Sequence, residues 1–237
     1  QRCGKLYQFV QNNDLTIQEN YEQVAAQIDI ENFIDYHVAE IYLANLDWPG
    51  KNHKYWSSTE IYEQWRWLPY DFDGSMKDYN YNVFERMDLK EGKQKLPEWS
   101  VLFFQKLIEN DDFRKAFLTR FSTMMNEVFS PERVVPIIEK MAKSYEPEIE
   151  EHIRRWNAPQ SFEKWEENVW RLKEFARNRP EIMSKIMEER FGQEWLKVAP
   201  VAVQEVWCSD SKFRWWYVLI GVLLVAPLFL IFRRFKK

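Results

Sequence analysis

The chain has 237 residues, 46% of them hydrophobic and 17% aromatic, enough for one sizeable folded body plus an appendage. Only six glycines, set among abundant Glu, Lys, Leu and Ile, disfavour a β-sandwich or barrel and favour helices. Of the 33 basic residues, five lie from Arg214 onward with no acidic neighbour, leaving 28 against 37 acidic residues; a body that acidic repels phosphate and excludes general nucleic-acid binding.

In chain order, residues 6–12 read as a short helix. Asp14 and Thr16 offer caps for a second, running to about Gln27. Asp29 is placed to cap a stronger one, IENFIDYHVAEIYLAN, in which Phe33, Ile34, His37, Val38, Ile41 and Tyr42 recur at helical spacing. His37 falls on the apolar face, which predicts a core histidine bonded through one nitrogen, with Glu40 as a candidate partner. The helix is expected to end near Asn45, where LDWPGKN follows.

The next two runs, HKYWSS and QWRWLPYDF, are short, aromatic and alternating, the pattern of strands. They predict a β-hairpin connected through residues 59–64, with DWPGKN at its entrance and YDFDG at its exit. Trp48 and Trp56 are expected to pack in the hairpin. Residues 74–97 lack periodicity and read as a long loop. From about Glu98 the chain reads as helical: SVLFFQKLIEN; then DDFRKAFLTRFSTMMNEVF; then a helix capped by Ser130 with Pro131 in its first turn. SFEKWEENVWRLKEFARNR and PEIMSKIMEERF read as two further helices. Residues 192–213 read as a stalk or linker.

Residues 215–232, WWYVLIGVLLVAPLFLIF, carry no charge. As a helix they span about 27 Å, close to the hydrocarbon core of a bilayer. Trp215, Trp216 and Tyr217 at one end and RRFKK at the other fit a membrane span with a cytoplasmic tail and an extracytoplasmic body. Cys3 and Cys208 either pair in an oxidising compartment or are two unrelated thiols.

One constellation suggests chemistry. Phosphoryl transfer needs an acid to orient the attacking hydroxyl, and oxygen ligands for the metal that bridges the phosphates. An Asp-x-x-x-x-Asn turn followed, after a hairpin, by a further acid supplies them. Asp47 and Asn52 have that spacing, Asp71 follows the hairpin, and Asp73 could add a second carboxylate. Hard oxygen ligands suit Mg2+. Asp and Asn are also ordinary turn residues.

NFIDYHVAEIYLANLDWPGKNHKYW, followed by WRWLPYDFDG, resembles the CotH kinase family, the spore-coat-protein-H-like atypical kinases. The likeness continues through HIRRWNAPQSFEKWEENVWRLKEFARNRPEIM and covers most of residues 1–191. It implies a mainly α, protein-kinase-like C-terminal lobe over residues 1–191, with a small β-hairpin carrying the metal-binding loop. Residues 192–213 would then be a stalk, and residues 214–237 a transmembrane helix with a short basic tail.

The resemblance further implies ATP and Mg2+ as cofactors and phosphorylation of Ser/Thr on surface or secreted proteins. Asp47 would be the catalytic-loop acid, Asn52 its metal-binding partner, Asp71 the metal-binding acid and Asp73 the second acid of an Asp-x-Asp. The chain departs from the family where Gly74-Ser75 follows at once. The sequence also shows no Gly-rich phosphate loop and no strand lysine paired with a helix glutamate, features expected upstream in an amino-terminal lobe.

Three function classes follow. The first is a membrane-anchored, extracytoplasmic atypical kinase fragment using Asp47, Asn52 and Asp71. The second is a catalytically inactive surface structural or interaction protein of the same fold. The third is a metal-dependent hydrolase on the acidic cluster, for which His53 is the nearest extra ligand.

Overall fold

The computed structural model describes residues 2–88, 96 and 98–198. Its elements are α1 (Arg2–Asn12), α2 (Gln18–Ala25) and α3 (Ile30–Tyr42), then the strands β1 (Tyr55–Ser58) and β2 (Tyr62–Trp67). A 3-10 turn, Phe72–Gly74, leads to α4 (Val83–Met87), α5 (Glu98–Leu107) and α6 (Asp111–Thr123), which runs into a π turn at Met124–Val128. Two long helices, α7 (Pro131–Trp156) and α8 (Phe162–Phe191), and the short α9 (Gln193–Leu196) complete it.

Helix α3 is the axis of the core. Asp29 accepts from the Asn32 amide at its N-terminus, as its capping position predicts. Phe33, Ile34, Tyr36, Val38, Ala39, Ile41 and Tyr42 are all buried. They meet Phe113, Phe117 and Phe121, spaced four apart on α6, where edge-to-face rings such as Phe104–Phe117 fill the interior. A two-pronged ion pair from Arg120 to Asp35, at 2.6 and 2.9 Å, ties α6 to α3 at the edge of that core.

The hairpin pairs Tyr55 with Trp67 and Trp56 with Arg66, and its register slips by two residues before Ser58 meets Tyr62. Its turn is therefore shorter than the expected connection. On its other side β2 meets the entrance of α3: Trp65 N–H donates to the Gln27 carbonyl at 2.8 Å, and Asp29 N–H to the Trp65 carbonyl at 3.0 Å. This seats the hairpin on the N-terminal end of α3, while its two ends return to the C-terminal end.

Several local expectations change. Asp14 and Thr16 cap nothing; they bond to each other at 2.7 and 2.9 Å, and α2 starts after Ile17. Ser130 sits at the N-cap of α7 with Pro131 behind it, but its hydroxyl makes no cap hydrogen bond. The two helices read on either side of Pro180 are one helix, α8. Proline removes one backbone bond there, and burial of Ala176, Arg179, Met183 and Ile186 holds both sides of the gap against the core. Within residues 74–97, α4 and its Asn82 cap stand where a plain loop was expected. The proposed stalk begins inside the body, since Trp195 of α9 is buried.

The expectation of a transmembrane helix is corrected. Among the described residues no helix is long and apolar enough to cross a membrane. The longest two, α7 and α8, are 26 and 30 residues but are rich in charge. Residues 215–232 lie outside the described residues, as does Cys208. The architecture described is mainly α with one small hairpin, and among the described residues nothing supports the bilayer partner, single-pass topology or membrane localisation.

Candidate functional site: two turns at the end of helix α3

The turn at residues 44–52 grows from the C-terminal end of α3. Ala44 enters the left-handed region at φ 54°, which stops the helix and throws Asn45 back under it. Asn45 is fully buried. Its amide donates to Glu40 Oε2 at 2.8 Å, and its carbonyl oxygen accepts from the Asp47 N–H at 3.1 Å. Trp48 is buried as well and donates through Nε1 to the Tyr36 hydroxyl at 2.8 Å. Tyr36 in turn hydrogen-bonds Glu40.

Burial pushes the Glu40 carboxyl up to about 8, against the opposite pull of its bonds to Asn45 and Tyr36, so it is protonated at neutral pH. Its Oε1 has no hydrogen-bond partner. The expected His37–Glu40 pair does not form. His37 Nδ1 bonds the Phe33 carbonyl at 2.8 Å, and burial lowers its pKa to about 3, leaving a neutral core histidine.

The second turn, residues 70–76, packs on the first. Asp71 stands at φ 62°, ψ 56°, and Met76 at φ 58°. Leu46 N–H donates to the Gly74 carbonyl at 3.3 Å, and Met76 N–H to the Leu43 carbonyl at 2.8 Å. The Leu46 carbonyl accepts from Arg86 of α4, so both backbone groups of Leu46 are held. Gly74 is glycine because the turns approach closely. A Cβ there would stand 2.9 Å from Asn45 Oδ1 and 3.5 Å from Asp47 Oδ2.

The four residues singled out from sequence are distributed over this pair. Asp47, about 40% exposed, faces Lys51 with Nζ at 3.6 Å from Oδ1. Asn52, itself left-handed at φ 60°, donates its side-chain amide to the Asp71 carbonyl at 3.3 Å. Asp73 lies half-buried in the 3-10 turn beside Gly74. The fold thus brings Asn52 next to Asp71 and Asp47 next to the Gly74 end of the same turn.

A metal centre does not follow from that arrangement. Among the described residues no group of three or more His, Cys, Asp or Glu side chains is placed to hold a metal ion. The Asn52 side chain offers its N–H face to Asp71, not its oxygen. The expectation of a magnesium-dependent enzyme is corrected to that extent: among the described residues the turns hold no such cluster. His53, the extra ligand of the hydrolase reading, packs among Tyr36, Trp48 and Trp99, where burial lowers its pKa to about 4.

Sequence reasoning missed the supports of this pair. Glu40 and Asn45 are spaced five apart across a helix end, which matches no familiar cap pattern. Arg179, fully buried on α8, donates to the carbonyls of Ile41, Tyr42, Tyr79 and Tyr81 at 2.7 to 2.9 Å. It satisfies the C-terminal carbonyls of α3 and fastens the segment after the second turn to them. The only signal in the sequence was an arginine in register with Phe175, Ala176 and Met183 on one helix face.

A family model described as CotH kinase protein matches residues 2–183. No curated protein and no solved structure matches the chain.

Proposed function

The chain belongs to the CotH kinase family, and from that premise we propose that it works as a kinase-like structural or interaction protein, binding a protein partner at the face built from its two turns. Backbone strain carries this reading. Of the five non-glycine residues at positive φ among those described, four (Ala44, Asn52, Asp71 and Met76) lie in the turn pair. Strain of this kind costs about 1–3 kcal/mol per residue and persists where a geometry serves a task other than stability. The strained unit is rigidly backed by Trp48, Asn45 and Glu40, and Asp47, Asn52, Asp71 and Asp73 form its outward edge in this proposal.

The neighbouring hairpin supplies apolar contact area. Tyr55 on β1 is 44% exposed, and Trp99 at the start of α5, which packs on His53 next to Asn52, is 49% exposed. Large apolar and aromatic side chains beside a rigid polar edge are the composition of a protein-binding surface.

A membrane-anchored, magnesium-dependent kinase lacks support among the described residues, which hold neither a spanning helix nor a metal cluster. A finer enzymatic reading, a Ser/Thr phosphotransferase using ATP and Mg2+ through Asp47, Asn52, Asp71 and Asp73, rests on family membership and has one observation in its favour, the Asn52–Asp71 contact. One experiment separates the two. The full-length protein is incubated with γ-labelled ATP and Mg2+, and label on protein is compared between wild type and the Asp47→Asn and Asp71→Asn variants. The interaction reading expects the same background in all three. Transfer by wild type that disappears in both variants would replace it with the enzymatic one.

A further inference from the structure

We propose that Asn45 and Glu40 are positioning residues that hold the two turns in register, with Asn45 as the shared peg between them. The inference deepens the functional reading above and rests on it for the importance of the turn pair. The geometry is independent of that reading.

Asn45 touches both halves from beneath, bonding Asp47 in the first turn and lying against Gly74 in the second. Its amide is oriented by the buried Glu40 carboxyl at 2.8 Å, which leaves its carbonyl oxygen directed at the Asp47 N–H at 3.1 Å. The same oxygen is the nearest atom to the position a Gly74 side chain would take, at 2.9 Å. Rotation of the amide would place an N–H donor against the Asp47 N–H and lose both bonds at once. Glu40 prevents this because its Oε2 accepts from Asn45, and Glu40 is itself fixed by Tyr36, whose hydroxyl is held by Trp48.

The consequence runs outward. The Asp47 main chain is set by Asn45, and Leu46, one residue before it, is bonded to Gly74. The second turn can approach only because Gly74 presents no side chain to the peg. Asp47 on one turn and Asp71 and Asp73 on the other therefore share a register defined below the surface, with no contact from Asn45 to any partner.

Backbone amide exchange read by NMR tests this without any ligand, so its failure and failure of the functional reading are distinguishable. Asn45→Ala is expected to speed Asp47 exchange about tenfold, on the scale of one lost hydrogen bond, with α6 amides unchanged. Gly74→Ala is expected to do the same in the wild-type background, and to add distinctly less when Asn45 is already alanine because the atom it meets is gone. Glu40→Ala should speed Asp47 exchange, and Glu40→Gln, which keeps an acceptor for Asn45, should restore it. Equal increments of Gly74→Ala in both backgrounds would overturn the peg. If Asn45→Ala does not fold, the Glu40 pair decides: the same Asp47 exchange in the Ala and Gln variants would overturn it.

Discussion

The long arm of α7 with the first half of α8, and the turn pair at the end of α3, are built on opposite principles. Along its 26 residues α7 buries only Ile138 and Ile149, and α8 buries nothing before Phe175. The arm is held by side chains that meet at helical spacing and by exposed ion pairs such as Lys173–Glu139 at 3.4 Å. The turn pair has short local structure and is held by buried polar bonds that reach far along the chain, from Tyr36 to Arg179. Local periodicity can build an arm, whereas a strained polar face needs distant residues to enforce it.

The sharpest way to break that contrast is Arg179→Ala. It leaves the carbonyls of Ile41, Tyr42, Tyr79 and Tyr81 without this donor in a buried place. Loss of about 3–5 kcal/mol is expected in urea unfolding, although the substitution is in α8 and the groups it orphans are in and after α3. A loss below about 1 kcal/mol would show that the staple is dispensable.

Next in size is a pH effect. The Glu40 pKa is raised in the folded chain to about 8 from an ordinary 4.5, so between those values the folded state holds a proton that the unfolded state has released. Its contribution is complete below pH 4.5 and is lost as pH rises towards 8. His37, lowered to about 3, and His53, lowered to about 4, act in the other direction, costing stability as pH falls below 6.5. Urea unfolding from pH 5 to 9 should show wild type losing stability relative to Glu40→Gln up to pH 8 and running parallel above it. Parallel curves throughout would remove Glu40 as the source.

Smaller again is Trp48→Phe, which removes the donor to Tyr36 and part of a buried ring; about 1–3 kcal/mol is expected. The smallest effect belongs to the arm. Lys173→Ala breaks a partly exposed pair with Glu139 and should shift unfolding by no more than about 0.5 kcal/mol. An arm variant costing as much as the Arg179 change would erase the distinction between the two regions.

The same contrast explains what was legible in the sequence. The helix of α3 with its Asp29 cap, the aromatic spacing of α6, and the hairpin of alternating aromatics all follow from local patterns of apolar residues and caps. So did the position of both turns, because Pro, Gly, Asn and Asp announce them. Pro180 misled because a local breaker is overruled when both flanks are buried. Asn45 and Arg179 carry no local signal of their role, and Glu40 pointed only to His37: the Asn45 amide meets a carboxyl five residues back across a helix end, and Arg179 meets the Tyr42 carbonyl across 137 positions. Sequence is silent on ligand orientation for a related reason. Spacing brought Asn52 to Asp71, but which face of the amide is presented depends on the Asp71 carbonyl, a backbone atom that sequence does not orient.

The most direct measurement of the central claim, that the turns are one unit fastened to α3, is native-state hydrogen exchange of the Leu46 and Met76 amides across a denaturant series. Leu46 donates to Gly74 and Met76 to Leu43, so the first amide reports the joint between the turns and the second the joint of the second turn to the end of α3. The account predicts that both open with the same free energy and denaturant dependence, and together with the last turn of α3. Exchange of Leu46 and Met76 through separate openings, either of them as fast as an unprotected loop, would contradict it.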